Sequence, residues 1–412
     1  MDVSRREFFK TAGKFGLVFG EACAALSSPA WLQALGNASA DLYAASKIEE
    51  LARTAPRARY WISTDSDGNR CAVCHMGGLS SSPGHQHAET FVKCLLCAQG
   101  CVLRNRERGK CSARMNVNGE MRSLVYGRPM TIHTDPIEKK PFYHFLPGSA
   151  AFSLATSGCP LHCRFCQNWQ ISQAKPEDYD VQDVPPSEIV NAAANQKAPI
   201  IAFTYNEPTV FCEYLLDIAV AARAQNMRSV LVSCGFMNEE PLADMCAVLD
   251  AIKIDLKGYS DDFYRKVCSA ELNPVLRSIQ QVARSGTHLE IVNLVVPTLN
   301  DSDSMLNGLC DWLAGEVGPD VPVHFTRFHP DFQLLNLSPT PIETLERARE
   351  LAISKGIRYA YVGNVPGHEG NHTYCPGCGR IVIHRNGFFV SEFHIQNGAC
   401  EYCGQTIAGV WS

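Results

Sequence analysis

The sequence has no excess of basic residues and no apolar run long enough to cross a membrane. Its formal net charge is −5, so it has no basic footprint of the kind that binds nucleic acid. A membrane-spanning helix needs about 20 predominantly apolar residues in succession, and no internal segment supplies them. We therefore expect no nucleic-acid partner and no transmembrane span in the mature chain.

Cysteine, in contrast, is abundant, with 19 among 412 residues. Cys159, Cys163 and Cys166 form a C-x3-C-x2-C triplet after an apolar run, 151–157, that predicts a buried strand. Three thiolates on one loop hold three corners of a [4Fe–4S] cluster and leave the fourth iron without a protein ligand. Such an iron can bind and activate a small molecule, as the open position of a catalytic metal does. The alternatives are chance spacing or a structural zinc site with a ligand from elsewhere.

The triplet and its surroundings resemble a known family. With Phe165 before its last cysteine, the triplet resembles the signature of the radical S-adenosylmethionine (SAM) enzymes. Segments 135–149 (DPIEKKPFYHFLPGS), 166–173 (CQNWQISQ) and 203–210 (FTYNEPTV) look like the radical SAM component of the AmmeMemoRadiSam system. That group is similar to the pyruvate formate-lyase activating enzymes. The resemblance implies SAM and a [4Fe–4S] cluster as cofactors.

Apolar strands alternate with helices after residue 131, which predicts a parallel sheet with helices outside it. We expect an α/β fold, a partial (β/α)6 barrel of the TIM type, and the resemblance implies the same architecture. The predicted strands are 151–157, 199–205, 229–233, 251–256, 288–296, 321–328 and 358–362. The predicted helices include 186–195, 209–225, 239–249 and 342–355.

The ends of the second and third strands carry polar residues that the resemblance assigns to SAM. Asn206 and Glu207 match the family's counterpart of a Gly-Gly-Glu motif, with Glu207 accepting from the SAM ammonium group. The alternative for them is a polar turn with a helix cap. Ser233 ends the third strand, and Cys234 stands where the family commonly has asparagine.

Later strand ends carry further candidates. Asp255 and Lys257 resemble the Asp-Leu-Lys of activating enzymes, and Lys257 is a candidate for the SAM carboxylate. A structural salt bridge is the alternative. His329 is a candidate for the adenosine, although a lone histidine is more often structural. The sequence assigns no catalytic acid or base.

The loop before the first strand contains Lys139, Lys140 and His144. By resemblance alone, we expect these residues to meet an anionic substrate or partner. A solvated charged loop is the alternative.

Two further groups of cysteines have metal-ligand spacing. Near the N-terminus, four cysteines resemble a four-Cys element of the family and predict structural zinc or an auxiliary [4Fe–4S] cluster, with an added pair nearby. Together with Cys94 and Cys97, the added pair also has the spacing of a zinc ribbon, and with the residue after it, CAVCH, it matches a haem attachment pattern. The four are Cys94, Cys97, Cys101 and Cys111, and the added pair is Cys71 and Cys74.

The C-terminal group consists of two C-x2-C pairs around a predicted hairpin, which indicates a zinc-ribbon-like site. The predicted strands, 380–385 and 388–395, are joined by an Asn386-Gly387 turn. The four ligands are Cys375, Cys378, Cys400 and Cys403. Five scattered cysteines are interpreted as buried inert thiols: Cys212, Cys234, Cys246, Cys268 and Cys310.

The N-terminus carries a twin-arginine pattern at Arg5 and Arg6, followed by a Gly/Ala-rich stretch and a cleavage candidate at 38–40. This pattern favours export to the periplasm. A basic amphipathic helix in a cytoplasmic protein is the alternative, since SAM and low-potential reductants are cytoplasmic.

These patterns predict four parts: a signal (1–40), a Cys-rich metal-binding segment (41–130), the barrel (131–366) and a zinc-ribbon-like module (367–412). The resemblance implies reductive SAM cleavage to a 5′-deoxyadenosyl radical, followed by hydrogen abstraction from a partner protein. Modification of a small molecule or peptide is the alternative, and a non-catalytic iron–sulfur or zinc protein is a third reading. Implied partners are an electron donor of the flavodoxin or ferredoxin type and Memo- or AMMECR-type proteins.

Overall fold

The structure, a computed structural model, describes residues 46–64 and 90–412. The predicted export signal and the pair formed by Cys71 and Cys74 lie outside these ranges. No helix in the described part of the chain is long and apolar enough to cross a membrane.

The Cys-rich segment before residue 131 forms two small antiparallel sheets. Residues 48–54 are helical. A three-stranded sheet in the order β1-β2-β3 and a β4–β5 hairpin follow. Asn118 and Gly119 form the hairpin's two-residue turn, both with positive φ, as a type I′ turn requires. The strands are β1 (Trp61–Ser63), β2 (Val92–Cys94), β3 (Val102–Leu103), β4 (Arg114–Val117) and β5 (Glu120–Ser123).

The centre of the molecule is an eight-stranded sheet whose strands are adjacent in chain order, from β6 to β13. Strands β7 to β13 are parallel, and β6 pairs antiparallel with β7. The strands are β6 (Thr131–Pro136), β7 (Ala150–Ala155), β8 (Ile200–Phe203), β9 (Arg228–Ser233), β10 (Ala251–Asp255), β11 (His288–Val295), β12 (Val323–Arg327) and β13 (Ala360–Gly363).

One long helix follows each of the strands β7 to β12. They are α1 (Pro186–Asn195), α2 (Cys212–Ala224), α3 (Glu239–Val248), α4 (Leu272–Ser285), α5 (Asp303–Trp312) and α6 (Ile342–Ser354). Shorter helical turns are Ile137–Lys139, Trp169–Ser172, Pro176–Asp178, Pro208–Phe211, Asp261–Phe263, Tyr264–Cys268, Leu313–Val317 and Glu369–Asn371.

The predicted alternation of strands and helices is confirmed, because the strands are buried on both faces and therefore read as apolar runs. All four residues of β8, for example, are buried. Among the described strands the sheet ends on β6 and β13, which do not pair with each other. The carboxyl ends of the parallel strands share one edge, where ligands bind in folds of this type.

The opposite edge of the sheet is covered by the loop before β7. His144 is fully buried there, with Nδ1 2.5 Å from the carbonyl oxygen of Ala408 and Nε2 2.5 Å from the hydroxyl of Tyr361. Glu290, also fully buried, accepts from the His144 amide at 2.8 Å and lies 2.7 Å from Nε2 of His324. The expectation that His144 meets a substrate or lies in a solvated loop is therefore wrong.

The two lysines of this loop differ from each other. Lys140 is buried and Lys139 is exposed, and both donate to Asp135. Burial alone would raise the pKa of Asp135, but the two ammonium groups outweigh burial and lower the pKa to about 2. Tyr205 also donates to Asp135, at 3.1 Å. Lys140 is thus part of an internal ion-pair network and is not a solvated charge.

The C-terminal segment packs against the same loop. Arg385 is buried, lies 4.1 Å from the ring centroid of Tyr143 and donates to the Tyr143 carbonyl oxygen at 2.7 Å. The hairpin loop is Gly387-Phe388, one residue later than predicted, because Asn386 still pairs with Phe389. The strands are β14 (Thr373–Tyr374), β15 (Ile381–Asn386), β16 (Phe389–Phe393), β17 (Ile395–Gln396) and β18 (Ala399–Cys400).

Candidate active site and metal centres

The three-cysteine loop follows β7 at the carboxyl edge of the sheet. Cys163 is buried, and Cys159 and Cys166 are half-buried. The amide of His162 donates to the Cys268 carbonyl oxygen at 3.1 Å, and the amide of Arg164 donates to the Val267 carbonyl oxygen at 3.0 Å. Contacts with the loop after β10 therefore hold the three-cysteine loop in place.

Burial affects the thiols of this loop. It raises the pKa of both Cys159 and Cys166, whereas a hydrogen bond with the Cys268 thiol lowers the pKa of Cys163. Thiols with raised pKa values are protonated near neutral pH, so a metal that binds them must displace protons. Cys268, for which the sequence predicts a buried inert thiol, thus lies beside the triplet.

Glu207 lies at the end of β8 with only 2% of its surface exposed. Its Oε1 accepts from Ser233 Oγ at 2.8 Å and from the amide and hydroxyl of Thr209, at 3.2 and 2.5 Å. Its Oε2 accepts from the Cys234 amide at 2.6 Å. Four donors from the chain thus fill most of the acceptor capacity of this carboxylate. Ser233 positions Glu207, and the contribution of Thr209, two residues after Glu207, was missed from the sequence.

Asn206, beside Glu207, has a hydrogen-bond acceptor that the described residues leave unused. Its Nδ2 donates to the Gly158 carbonyl oxygen at 2.8 Å, one residue before Cys159. Its Oδ1 is buried and has no hydrogen-bond partner among the described residues. A buried polar atom without a partner costs free energy and points to a missing donor. Tyr205, the preceding residue, has φ +74°, a strained value for an aromatic residue.

Asp255 and Lys257 are brought together at the end of β10. Asp255 accepts from Lys253 and, at 3.4 Å, from Lys257. Burial would raise the pKa of Asp255, but the two lysines outweigh burial and lower it. Lys257 Nζ lies 5.6 Å from the ring centroid of Phe165, between the second and third cysteines of the triplet. The ion pair and the three-cysteine loop therefore form one site.

His329 follows β12 and is exposed. Its loop reaches the three-cysteine loop through the amide of Gln333, which donates to the Arg164 carbonyl oxygen at 3.0 Å. Phe332 in the same loop stacks on Trp169, with ring centroids 5.3 Å apart. The assignment of His329 to adenosine stays a prediction.

The chemistry of these residues fits a cluster with bound SAM. Three thiols on one loop are iron ligands, and the unpaired Oδ1 of Asn206 is an acceptor for an ammonium group. Lys257 carries the positive charge that a carboxylate requires.

The C-terminal cysteines form a compact group. The sulfurs of Cys375, Cys378, Cys400 and Cys403 all lie within 4.8 Å of one another. The distance from Cys375 to Cys403 is 3.5 Å, and that from Cys378 to Cys400 is 3.8 Å. A tetrahedral zinc ion with Zn–S bonds of about 2.3 Å needs sulfurs about 3.8 Å apart. The group therefore fits a single tetrahedral metal ion.

The N-terminal cysteines surround a cavity. Cys94, Cys97, Cys101 and Cys111 all line one small cavity. Burial raises the pKa of Cys97, Cys101 and Cys111, the last to about 11. The structure thus brings the four predicted ligands together.

Comparison with known proteins agrees with this geometry. Residues 153–307 match the Radical SAM superfamily, and this span begins in β7 and includes the three-cysteine loop. An uncharacterized protein of Methanocaldococcus jannaschii is 43% identical over 318 residues, which are 77% of this chain and 95% of the relative. The chain belongs to the radical SAM superfamily. It is therefore an enzyme of that superfamily, and the family implies a [4Fe–4S] cluster and SAM.

This radical SAM enzyme also has activating-enzyme relatives. The pyruvate formate-lyase-activating enzyme of Listeria monocytogenes is 21% identical over 174 residues, 39% of this chain and 68% of the relative. Among solved structures, a domain of such an enzyme from Bacteroides vulgatus is 16% identical, with a TM-score of 0.36, and covers 40% of this chain and 98% of that one.

Proposed function

We propose that this enzyme cleaves SAM reductively at a [4Fe–4S] cluster held by Cys159, Cys163 and Cys166, and then abstracts hydrogen from a partner protein. The observation that carries the proposal is the position of Asn206 beside the three-cysteine loop. Its Nδ2 donates to the Gly158 carbonyl oxygen, and its buried Oδ1 has no partner among the described residues.

The residues of the site have separate roles in this proposal. When bound, the cluster and SAM supply a 5′-deoxyadenosyl radical. Asn206 accepts from the SAM ammonium group through Oδ1, and Glu207 retains one acceptor position on Oε2. Lys257 orients the SAM carboxylate. Asp255 accepts from the ammonium group of Lys257 and holds that group in place. Ser233 holds Glu207 in place by donating to it.

A partner protein is the preferred source of hydrogen because activating enzymes are among the relatives. The sheet also ends on β6 without a further described strand, and Ile132 on β6 is 39% exposed. An open strand edge is a surface on which an extended polypeptide segment can pair. A small molecule or peptide substrate is the second candidate.

The proposed chemistry is tested by anaerobic reconstitution, followed by SAM, dithionite and measurement of 5′-deoxyadenosine. We expect product from the wild type and none above background from Cys163→Ala, with the C-terminal metal retained in both. Cys310→Ala, which removes a buried cysteine on α5, is the matched control and keeps its activity. A wild-type protein that makes no 5′-deoxyadenosine, with a cluster spectrum unchanged by SAM, contradicts the proposal.

The hydrogen donor is tested with extracts of cells grown on deuterated medium and separated by molecular mass. A partner protein predicts deuterium in 5′-deoxyadenosine from the high-mass fraction, lost after protease treatment. Deuterium transferred only from the low-mass fraction supports the small-molecule alternative instead.

The finer family assignment is also a proposal. The segments 135–149 and 203–210 support membership of the AmmeMemoRadiSam group, with Memo- or AMMECR-type partners and a flavodoxin or ferredoxin as electron donor. The sulfur distances support zinc at the C-terminal site. The Arg5–Arg6 pair supports export; fractionation of cells that express the full chain with both arginines changed to lysine tests it. Unchanged location of the variant contradicts export.

A further inference from the structure

The four N-terminal cysteines differ from the C-terminal metal site in the spacing of their sulfurs. The C-terminal sulfurs are spaced for one tetrahedral ion. Among the described residues, the N-terminal sulfurs are not drawn together closely enough to share one ion in that way, although all four line the same cavity. Four thiols spread around a common volume match a polynuclear cluster better than a single zinc ion.

The N-terminal sulfurs also receive hydrogen bonds. The Lys110 amide lies 3.4 Å from Cys101 Sγ, and Arg114 Nη1 lies 3.8 Å from Cys94 Sγ. Arg114 is 1% exposed and pairs with Glu213 of α2. Donors to sulfur and a buried positive charge stabilise the negative charge of thiolate ligands and adjust the reduction potential of an iron–sulfur centre.

The cavity adjoins the three-cysteine loop directly. Pro160, one residue after Cys159, forms part of the cavity wall, and its carbonyl oxygen accepts from Gln99 Nε2 at 2.9 Å. Gly158 approaches Cys111 so closely that a Cβ at 158 would lie 2.2 Å from the Cys111 carbonyl oxygen. The two cysteine-bearing segments are therefore in direct contact.

The outer side of this segment carries positive charge. Residues 93–114 contain six basic side chains and one acidic side chain, of which Arg106, Arg108 and the buried Arg114 pair with Glu49, Glu177 and Glu213. Arg104 and Lys110 are exposed, and Cys101, whose Sγ lies 3.4 Å from the Lys110 amide, is half-buried. A basic surface beside a half-buried ligand complements an acidic electron-carrier protein and speeds its encounter.

We propose that Cys94, Cys97, Cys101 and Cys111 hold a second [4Fe–4S] cluster through which electrons enter the enzyme. An acidic carrier protein, reduced ferredoxin or flavodoxin, loses one electron to this cluster. The cluster then passes that electron to the centre at Cys159, Cys163 and Cys166 and returns to its oxidised state. The electron path rests on the proposed function, whereas the identity of the second cluster does not.

The first test counts metals in the anaerobically reconstituted full chain. We expect about eight irons and eight sulfides per chain, as two [4Fe–4S] clusters require, and about four of each in Cys97→Ala/Cys101→Ala. The catalytic cluster's electron paramagnetic resonance signal, shifted by SAM, persists in that variant. Cys246→Ala, at a half-buried cysteine of α3, is the control and keeps about eight. Zinc at the N-terminal site with about four irons in the wild type would overturn the proposal.

The second test separates the electron path from the chemistry. With dithionite, Cys97→Ala/Cys101→Ala is expected to form 5′-deoxyadenosine at near the wild-type rate, because a small reductant reaches the catalytic centre directly. With reduced flavodoxin, the same variant is expected to be at least about tenfold slower. Equal rates with flavodoxin overturn the entry role. A wild type inactive even with dithionite contradicts the proposed function alone, and the iron count still decides the cluster.

A third variant leaves the ligands intact. Lys93→Glu/Arg104→Glu keeps about eight irons and is expected to slow reduction by flavodoxin severalfold at low salt, with the difference disappearing at high salt. Lys197→Glu/Arg223→Glu carries the same change in charge elsewhere and is expected to match the wild type. Equal flavodoxin rates for both double variants overturn docking at this surface.

Discussion

Gly158 lies against the carbonyl oxygen of Cys111, at a distance that no larger residue can tolerate. Its φ is +94°, and a Cβ there would lie 2.2 Å from that oxygen. Both the backbone conformation and the close approach therefore require glycine. The contact joins the last cysteine of the N-terminal site to the residue before the first cysteine of the catalytic triplet.

Gly158→Ala is expected to lower the free energy of unfolding by ~3 kcal/mol or more, because neither backbone can move without displacing a cysteine ligand. Denaturant unfolding under reducing conditions measures the change. Gly286→Ala is the matched control: Gly286 has φ +83°, and no described residue comes within 4 Å of a Cβ placed there, so the substitution costs about 1 kcal/mol. Equal costs for the two variants would show that the contact with Cys111 does not matter.

Asn206→Ala is expected to weaken SAM binding by about tenfold or more while the cluster is retained, because it removes the buried acceptor Oδ1. The shift of the cluster's paramagnetic signal on SAM titration measures the affinity. Asn116→Ala is the control, since that buried amide binds the Leu103 carbonyl oxygen and the Gly119 amide within the N-terminal segment. An unchanged SAM affinity in Asn206→Ala rules out the assigned contact.

Acid is expected to destabilise the fold through His144. Burial is the main cause that lowers the pKa of His144 from 6.5 to about 3, and it outweighs the opposing contributions of Glu290 and of the hydrogen bond with the Ala408 carbonyl oxygen. The unfolded chain binds a proton below about pH 6.5 and the folded chain does not. The contribution of neutral His144 to the free energy of unfolding is therefore fully present above pH 6.5. It is lost at ~1.4 kcal/mol per pH unit as the pH falls towards 3.

The measurement compares denaturant unfolding of the wild type and His144→Gln between about pH 7 and pH 5. The free energy of unfolding of the variant should fall less steeply with pH, by the ~1.4 kcal/mol per pH unit that one proton contributes, while the metal sites stay the same. His324, whose pKa is also lowered by burial, acts in the same direction in both proteins. His329→Gln, at an exposed histidine, should behave like the wild type, and identical slopes for all three proteins would refute the role of His144.

Cys400→Ser is expected to release the C-terminal metal and leave the iron content unchanged. Cys400 is 2% exposed and packs in a cluster that includes Tyr359 and Tyr361 of the region around β13. Loss of the metal should therefore lower the midpoint of thermal unfolding for the whole protein. Cys310→Ser, at another buried cysteine, is the control for the loss of stability that comes from burying a hydroxyl group. Zinc retained by Cys400→Ser, or iron found at this site, would contradict the assignment.

The sequence predicted the order of elements better than their contacts. Strands such as β8 were predictable because burial on both faces produces an uninterrupted apolar run. The strand-end residues Asn206 and Asp255 were predictable because parallel strands end at one edge. The hydrogen bonds that occupy Glu207 were not, because one donor, Ser233, lies 26 residues away.

His144 is a stronger example of contacts that the sequence does not predict. Its partner at Nδ1, Ala408, is 264 residues away in sequence. A histidine in a charged segment looks solvated when only its neighbours along the chain are considered. Only the fold places the C-terminal segment over it and removes it from water.

The pairing of Val410 with the loop before β7 has a consequence for synthesis of the chain. The amide of Val410 donates to the His144 carbonyl oxygen, and the amide of Leu146 donates to the Val410 carbonyl oxygen, both at 2.8 Å. On the ribosome, the sheet emerges well before residue 410 does. The edge of the sheet opposite the carboxyl ends of its strands, with the fully buried Glu290, must therefore stay solvated until residue 410 has been made, and a chain that stalls before that point would expose a half-built core to proteases and chaperones.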